Sequence, residues 1–173
     1  MSPGEAAAER IRGEWREFSE AEADLRALLV AIGTAAAFAA MVGSSRPEER
    51  WRAAALERVG ERLINALDHL ARALQQLVQP DADVEALASG GALAALGQNL
   101  RLSSSEVHLL RGVASLRNQL QHHYIDLRTQ RIFSGLQALS GLTPSLAGRL
   151  PKALQALGVS VQVLGDSGHG IGE

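Results

Sequence analysis

The segment LERVGERLINALDHLARALQQLV, residues 56–78, carries the pattern that decides the fold. Its large apolar residues recur at steps of three and four, which places them in one continuous stripe along a helix. Pro47, a residue suited to the first turn of a helix, precedes the segment, and Gln79-Pro80-Asp81 follows it. We therefore predict a long helix from Pro47 to about Val78. The stripe consists of Leu56, Val59, Leu63, Leu67, Leu70, Leu74 and Leu77.

Other helices are predicted on both sides of this segment. A first long helix should run from about Glu5 to about Val42, with Gly33 permitting a kink or a close helix contact. A capping box, Ser103-x-x-Glu106, should start the helix that carries Val107, Leu110, Val113, Leu116 and Leu120 as its core stripe. Shorter helices are expected over about 84–96, 128–139 and 144–157, the last two separated by a turn over 140–144.

The composition supports an all-α fold. Apolar residues make up 46% of the 173 residues but aromatic residues only 3%, so Leu and Ala must fill most of the core. These residues, with Arg, Glu and Gln, favour helix over sheet. We predict an up-and-down bundle of about five or six helices in one domain, residues 1–157, followed by a flexible Gly-rich tail, residues 158–173, in which 159–164 alternates like a strand.

Several classes of protein are disfavoured by what the sequence lacks. The chain has no cysteine, which excludes disulfides and thiolate metal sites. Its start lacks the basic and apolar segments of a secretory signal, and the uncharged run 27–43 is short for a membrane span. We expect that run to be a buried core helix or a helix interface rather than a membrane helix, and we expect no membrane association and a cytoplasmic location. No Gly-rich nucleotide-binding loop is present, and no cofactor is expected.

Charge is unevenly distributed along the chain. Residues 1–49 contain nine acids and five arginines, whereas residues 101–131 contain five arginines and two acids. The net charge of −2 argues against a broad nucleic-acid-binding surface. The local positive charge suits a phosphate-binding cleft, and an ordinary solvated arginine-rich face is the alternative.

The positive region contains the string RNQLQHHY, residues 117–124, at the end of a predicted helix. Arg117 can hold a phosphate in a planar fork, and His122 can move a proton near neutral pH. Arg117 and Tyr124 project from nearly the same helix face, but His122 lies roughly 140° round the axis from Arg117. A loosened last turn or a partner chain would have to bring Arg117 and His122 together.

This string, R-N-x-L-x-H-x-Y, resembles the signature of the HEPN superfamily, in particular the HepT-type toxins. The resemblance implies a compact helical bundle, with the motif-bearing core at about residues 47–157 and the helix over 5–42 as an addition. It implies a homodimer in which two motifs face one cleft. It also implies metal-independent RNA cleavage, in which the 2′-hydroxyl attacks the adjacent phosphate.

The resemblance assigns a role to each motif residue. His122 would transfer the proton, Arg117 would stabilise the charge of the phosphorane, and Asn118 would orient the phosphate or the imidazole. Tyr124 would donate a hydrogen bond to the phosphate. In HepT-type toxins this tyrosine is also where a partner nucleotidyltransferase attaches AMP, so RNA, a second copy and a nucleotidyltransferase antitoxin are the expected partners.

Structural interpretations of the same residues stay open. Arg117 can pair with an acid of the first helices, Asn118 can cap a helix end, and Tyr124 can pack in the core. Adjacent His122 and His123 diverge on a helix, and no metal-binding spacing supports a metal site. The alternatives to a ribonuclease toxin are a non-catalytic HEPN module that binds a nucleotide or a nucleotidyltransferase, and a structural bundle with a coincidental motif. His69 and His108 are interpreted as structural.

Overall fold

The computed structural model describes residues 3–121 and 128–161, and side chains within these ranges except those of residues 3, 4, 121 and 128. In this part of the chain every regular element is a helix, which confirms the predicted all-α bundle. The helices are α1 (Pro3–Ile32), α2 (Ala35–Val42), α3 (Pro47–Val78), α4 (Ser89–Asn99), α5 (Ser104–Gln121) and α6 (Arg128–Ala156).

Helix α3 is the centre of the bundle and has the predicted bounds. It packs against α1, α2, α4, α5 and α6. The predicted stripe forms its core face: five of the seven residues are buried, and Val59 and Leu77 are partly buried at its margins. Gly60 lets α6 approach closely, because a side-chain carbon at that position would overlap Leu136.

The predicted long N-terminal helix is two helices, which corrects the expected span of about 5–42. The chain breaks at Gly33, whose φ of 82° lies in the left-handed region that glycine adopts without strain. The Thr34 side chain then caps α2 by accepting a hydrogen bond from the Ala37 N–H at 3.1 Å. The two helices are bent by 89°. The bend takes Phe38 into the core beside Phe133 of α6.

The predictions for α4 and α5 differ in accuracy. Helix α4 begins at Ser89, five residues later than predicted, because Arg72 holds the carbonyl oxygens of Val84 and Leu87 in a turn. The capping box before α5 is confirmed. The Ser103 N–H donates to the Glu106 carboxylate at 2.8 Å, and the Glu106 N–H donates to the Ser103 hydroxyl at 3.3 Å.

The two predicted C-terminal helices are one, α6, which continues through the expected turn over 140–144. Proline lacks the N–H that would bond the carbonyl four residues earlier, and so usually ends a helix. Here the Thr143 hydroxyl donates to the Ser140 carbonyl oxygen at 2.7 Å and replaces the bond that Pro144 cannot make. Leu142 and Leu146 on either side are buried, so packing also favours continuation.

The end of the described chain extends the core beyond Leu157. Gly158, with a φ of 80°, turns the chain, and Val159 is buried against the bundle. The rest of the predicted tail, from residue 162, lies outside the described residues.

The expectation of one buried helix over the apolar run 27–43 was wrong, because the run is divided by the break at Gly33 and only Ile32 and Phe38 of it are buried, whereas Val30 is exposed. Among the described residues, no single helix is long and apolar enough to cross a membrane. Taken together, α1 and α2 meet the length and composition required, with the 89° bend between them.

Candidate functional site

A polar cleft of about 430 Å³ lies between α1, α3, the loop before α4, and α5. The antiparallel packing of α1 on α3 forms one wall, with Glu14 opposite His69 and Glu17 opposite Arg62. Helix α5 supplies Arg117, the first residue of the predicted motif. We call this feature the polar cleft, and its lining residues are Arg10, Glu14, Asp68, His69, Arg72, Glu85 and Arg117.

Arg117 has no hydrogen bond or ion pair with any of the described residues. Its Nε atom is nevertheless buried, which is costly for a hydrogen-bond donor of a permanently charged group. The alternative in which Arg117 pairs with an acid of the first helices is not found in this part of the chain, although Glu14 and Glu85 line the same cleft. Asn65 Oδ1 and Gln119 Oε1 are likewise buried without a partner among the described residues, and Arg117 differs from them in carrying a positive charge into the polar cleft.

Each of the three side-chain nitrogens of the neighbouring Arg72 donates a hydrogen bond. Its Nε donates to Asp68 at 2.9 Å, and its two terminal nitrogens donate to the carbonyl oxygens of Val84 and Leu87 at 2.6 and 2.9 Å. The carboxylate of Asp68, 4% exposed, also accepts a hydrogen bond from Ser89 at 2.7 Å. These contacts hold α4 and the loop before it against α3. Asp68 and Arg72 therefore have a structural role in the polar cleft.

His69 and Glu14 form a second pair in the polar cleft. The His69 Nδ1 atom lies 3.1 Å from a carboxylate oxygen of Glu14. A carboxylate only accepts hydrogen bonds, so Nδ1 carries the proton in this contact and Nε2 is the other ring nitrogen. The His69 side chain is 53% exposed and that of Glu14 is 24% exposed. Solvent and a ligand can therefore reach the imidazole.

The formal charges of the polar cleft are balanced until His69 is protonated. Three arginines face three carboxylates. Asp68 is neutralised by Arg72, and Glu14 is occupied by His69. Arg10, Glu85 and Arg117 have no ion pair with the other described residues. With His69 neutral the formal charge of the cleft is zero, and Arg10 and Arg117 are its two arginines without a paired acid.

The structure brings one motif residue into the polar cleft and leaves another outside it. Asn118, about 100° round α5 from Arg117, is exposed and does not line the cleft. His122, His123 and Tyr124 lie outside the described residues. The roles predicted for His122, Asn118 and Tyr124 therefore remain predictions.

Sequence reasoning missed the groups that surround Arg117. His69 was interpreted as structural because no partner could be named from the sequence. Its partner, Glu14, is 55 residues away and is brought close only by the packing of α1 on α3. The 3.6-residue spacing does place Asp68, His69 and Arg72 on one side of α3, and that polar interruption of an apolar helix was the available signal.

A separate apolar groove of about 180 Å³ lies between α5 and α6. Its lining includes Leu109, which is 42% exposed, and His108. The groove shares no lining residue with the polar cleft, and no arginine or acidic residue lines it. It offers apolar contact but no acid–base or anion chemistry beyond His108.

Among residues 3–121 and 128–161, no group of three or more histidine and acidic side chains is arranged to hold a metal ion. The chain matches no protein-family model, and no curated protein or solved structure is similar to it.

Proposed function

We propose that the protein is a metal-independent HEPN-type endoribonuclease, most simply the toxin of a toxin–antitoxin pair with a nucleotidyltransferase. The proposal starts from the motif Arg117-Asn118-x-x-x-His122-x-Tyr124. The single observation that carries it is the state of Arg117. Its side chain lines the polar cleft and makes no hydrogen bond with the described residues, so the terminal nitrogens of the guanidinium are available to an anion.

The proposed reaction is attack of a ribose 2′-hydroxyl on the adjacent phosphate. His122 removes the hydroxyl proton, and Arg117 stabilises the negative charge that develops on the phosphorane. Asn118 orients the reacting groups and Tyr124 donates a hydrogen bond to the phosphate. The products are a 2′,3′-cyclic phosphate and a free 5′-hydroxyl, which need neither water nor metal for the first step.

The direct test is incubation of the purified protein with RNA, followed by mapping of the new ends. We expect 2′,3′-cyclic phosphates and 5′-hydroxyls, unchanged by EDTA. His122→Ala should slow cleavage by roughly 10²–10⁴-fold, because it removes the proton-transfer group. His123→Ala, in a variable position of the motif, is the matched control and should have a much smaller effect. Tight RNA or nucleotide binding without cleavage would instead favour the non-catalytic HEPN module.

Tyr124 is proposed as the point of control, because it is the sole tyrosine of the chain and part of the motif. AMP attached there would add an anionic group close in sequence to Arg117 and compete with the RNA phosphate. Co-expression with a nucleotidyltransferase partner should add the mass of AMP to the wild type and not to Tyr124→Phe. An equal mass gain on both proteins would remove Tyr124 as the control point.

A homodimer is proposed as the working form. The corner between α1 and α2 exposes Val30 and Val42 beside small alanines, which permits close approach of a second helix. Light scattering at micromolar concentration should give twice the chain mass of 18.3 kDa. Full activity in a strictly monomeric species would contradict this part of the proposal.

A further inference from the structure

The proposed reaction needs two proton transfers at opposite sides of one phosphorus atom. A base takes the proton from the attacking 2′-oxygen, and an acid gives a proton to the departing 5′-oxygen. The two oxygens lie roughly in line through the phosphorus, so one imidazole does not serve both at once. The motif of one protomer contains a single histidine at a fixed position, and the polar cleft of the same protomer holds a second candidate, His69.

His69 has the geometry of a proton-transfer group. The Glu14 carboxylate, 3.1 Å from Nδ1, fixes the orientation of the imidazole ring. The contact with Glu14 uses Nδ1, so Nε2 is the nitrogen that can deliver a proton to a ligand. The side chain is 53% exposed, which lets a ligand approach it. Glu14 is a positioning residue in this arrangement.

His69 and Arg117 face the same space from different helices. Every element that lines the polar cleft contributes a charged group: Arg10 and Glu14 from α1, Asp68 and Arg72 from α3, Glu85 from the loop, and Arg117 from α5. Asp68 and Arg72 are bonded to each other. When His69 is protonated, the formal charge of the cleft becomes +1, so the acid form of His69 and the binding of an anion favour each other.

We propose that His69 is the general acid of RNA cleavage, an inference that rests on the proposed ribonuclease function. With the phosphate on Arg117, the 2′-oxygen loses its proton to the base and forms a bond to phosphorus. The bond from phosphorus to the 5′-oxygen breaks, and its electron pair takes the proton of His69 Nε2–H. The neutral imidazole then recovers a proton from solvent. An interhelical His–Glu contact with no chemical role is the competing interpretation.

The experiment compares two RNAs of identical sequence. One is ordinary, and the other has sulfur in place of the 5′-oxygen at the mapped cleavage site. A thiolate leaves without being protonated, so the second RNA does not need a general acid. We expect His69→Ala to slow cleavage of ordinary RNA by roughly 10²–10⁴-fold and to slow the sulfur-containing RNA far less. Glu14→Gln should show the same selectivity with a smaller loss.

His108→Ala is the matched control, because His108 is an exposed histidine on α5 outside the polar cleft, and it should cleave both RNAs like the wild type. Equal slowing of both RNAs by His69→Ala, or unchanged cleavage of ordinary RNA by a variant with a normal melting curve, would overturn the role of His69. The proposed function would still stand if His122→Ala were inactive. A wild type that cleaves neither RNA would overturn both proposals.

Discussion

Arg72 and Arg117 line the same polar cleft, yet their guanidinium groups are in opposite states. Arg72 donates to a buried carboxylate and to two loop carbonyl oxygens. Arg117 has a buried Nε atom and no hydrogen bond with the described residues. Both are arginines on core helices, and neither sequence spacing nor exposure separates them. The difference lies in whether the protein itself satisfies the donors.

This difference separates a structural residue from a functional candidate. An arginine whose nitrogens already donate to protein groups stabilises the folded state. A ligand would have to replace those hydrogen bonds in order to bind it. An arginine without protein partners can donate to a ligand from its terminal nitrogens without losing any hydrogen bond of the folded state. Substituting the two residues should therefore affect different properties of the molecule, stability for Arg72 and activity for Arg117.

The largest effect is expected for Arg117→Ala, on activity. Loss of a donor that stabilises transition-state charge typically lowers the rate by about 10²–10³-fold. The free energy of unfolding should change by less than about 1 kcal/mol, because only packing of the aliphatic stem is lost. Single-turnover RNA cleavage and urea unfolding of the same preparation measure the two quantities. A large loss of stability would show that Arg117 has a structural role after all.

Arg72→Ala should produce the converse result. It removes a partner of the buried Asp68 carboxylate and both contacts to the loop before α4, which should cost roughly 3 kcal/mol of stability. Cleavage measured well below the melting temperature should fall much less than in Arg117→Ala. In the double variant Arg72→Ala/Asp68→Ala, the loss should be smaller than the sum of the two single losses. Additive losses would mean that the pair does not act as a unit.

Arg62 tests whether ion pairs stabilise the fold when they are not buried. It bonds Glu17 at 2.7 Å and Asp24 at 3.4 Å, and the hydrogen bond with Glu17 is the main cause that raises the pKa of Arg62. Its side chain is 41% exposed, so water and salt screen these contacts. Arg62→Ala should cost less than about 1 kcal/mol, and the cost should shrink in high salt. A loss of stability as large as that of Arg72→Ala would show that burial does not decide how much an arginine ion pair stabilises the fold.

Glu106 is a carboxylate that already accepts hydrogen bonds from the protein. Its substitution is expected to have the smallest effect of the four. Hydrogen bonds from the Ser145 hydroxyl and from the backbone N–H and hydroxyl of Ser103 lower the pKa of Glu106 from 4.5 to about 2. Because the folded pKa lies below the unfolded value, the stabilisation is present above pH 4.5 and disappears as the pH falls through 2. Glu106→Gln should melt below the wild type at pH 7, and the two curves should converge near pH 2. A constant difference across this range would exclude the carboxylate charge as the cause.

The helices were predictable where one strong pattern decided the outcome. The stripe of α3 lies on one face from Leu56 to Leu77, and Pro47 marks the start of the helix, so the bounds of the helix were predicted correctly. The helix bounds were predicted wrongly where a side-chain contact or an unusual backbone angle overrode the local sequence pattern. The Thr143 hydroxyl compensates for Pro144 and lets α6 continue. The positive φ at Gly33 turns a predicted kink into an 89° bend.

The polar cleft was only partly predictable. Arg117 stood out because of the motif around it. The pairing of His69 with Glu14 depends on the register of α1 against α3, and no local pattern encodes the alignment of residues 55 positions apart. The lack of a hydrogen-bond partner for Arg117 among the described residues likewise depends on how the helices pack. The sequence contains many acidic residues, so it does not show which arginine remains without a partner.

The most direct test of the account observes the two arginines together. In an NMR titration with a 2′-O-methyl RNA oligonucleotide, which cannot be cleaved, the side-chain Nε–H signals of Arg72 and Arg117 report on each guanidinium separately. We expect the Arg117 signal to shift and saturate as a phosphate binds, while the Arg72 signal stays in place. An unchanged Arg117 signal at saturating RNA, or equal shifts of both signals, would contradict the claim that Arg117 is held ready for a phosphate.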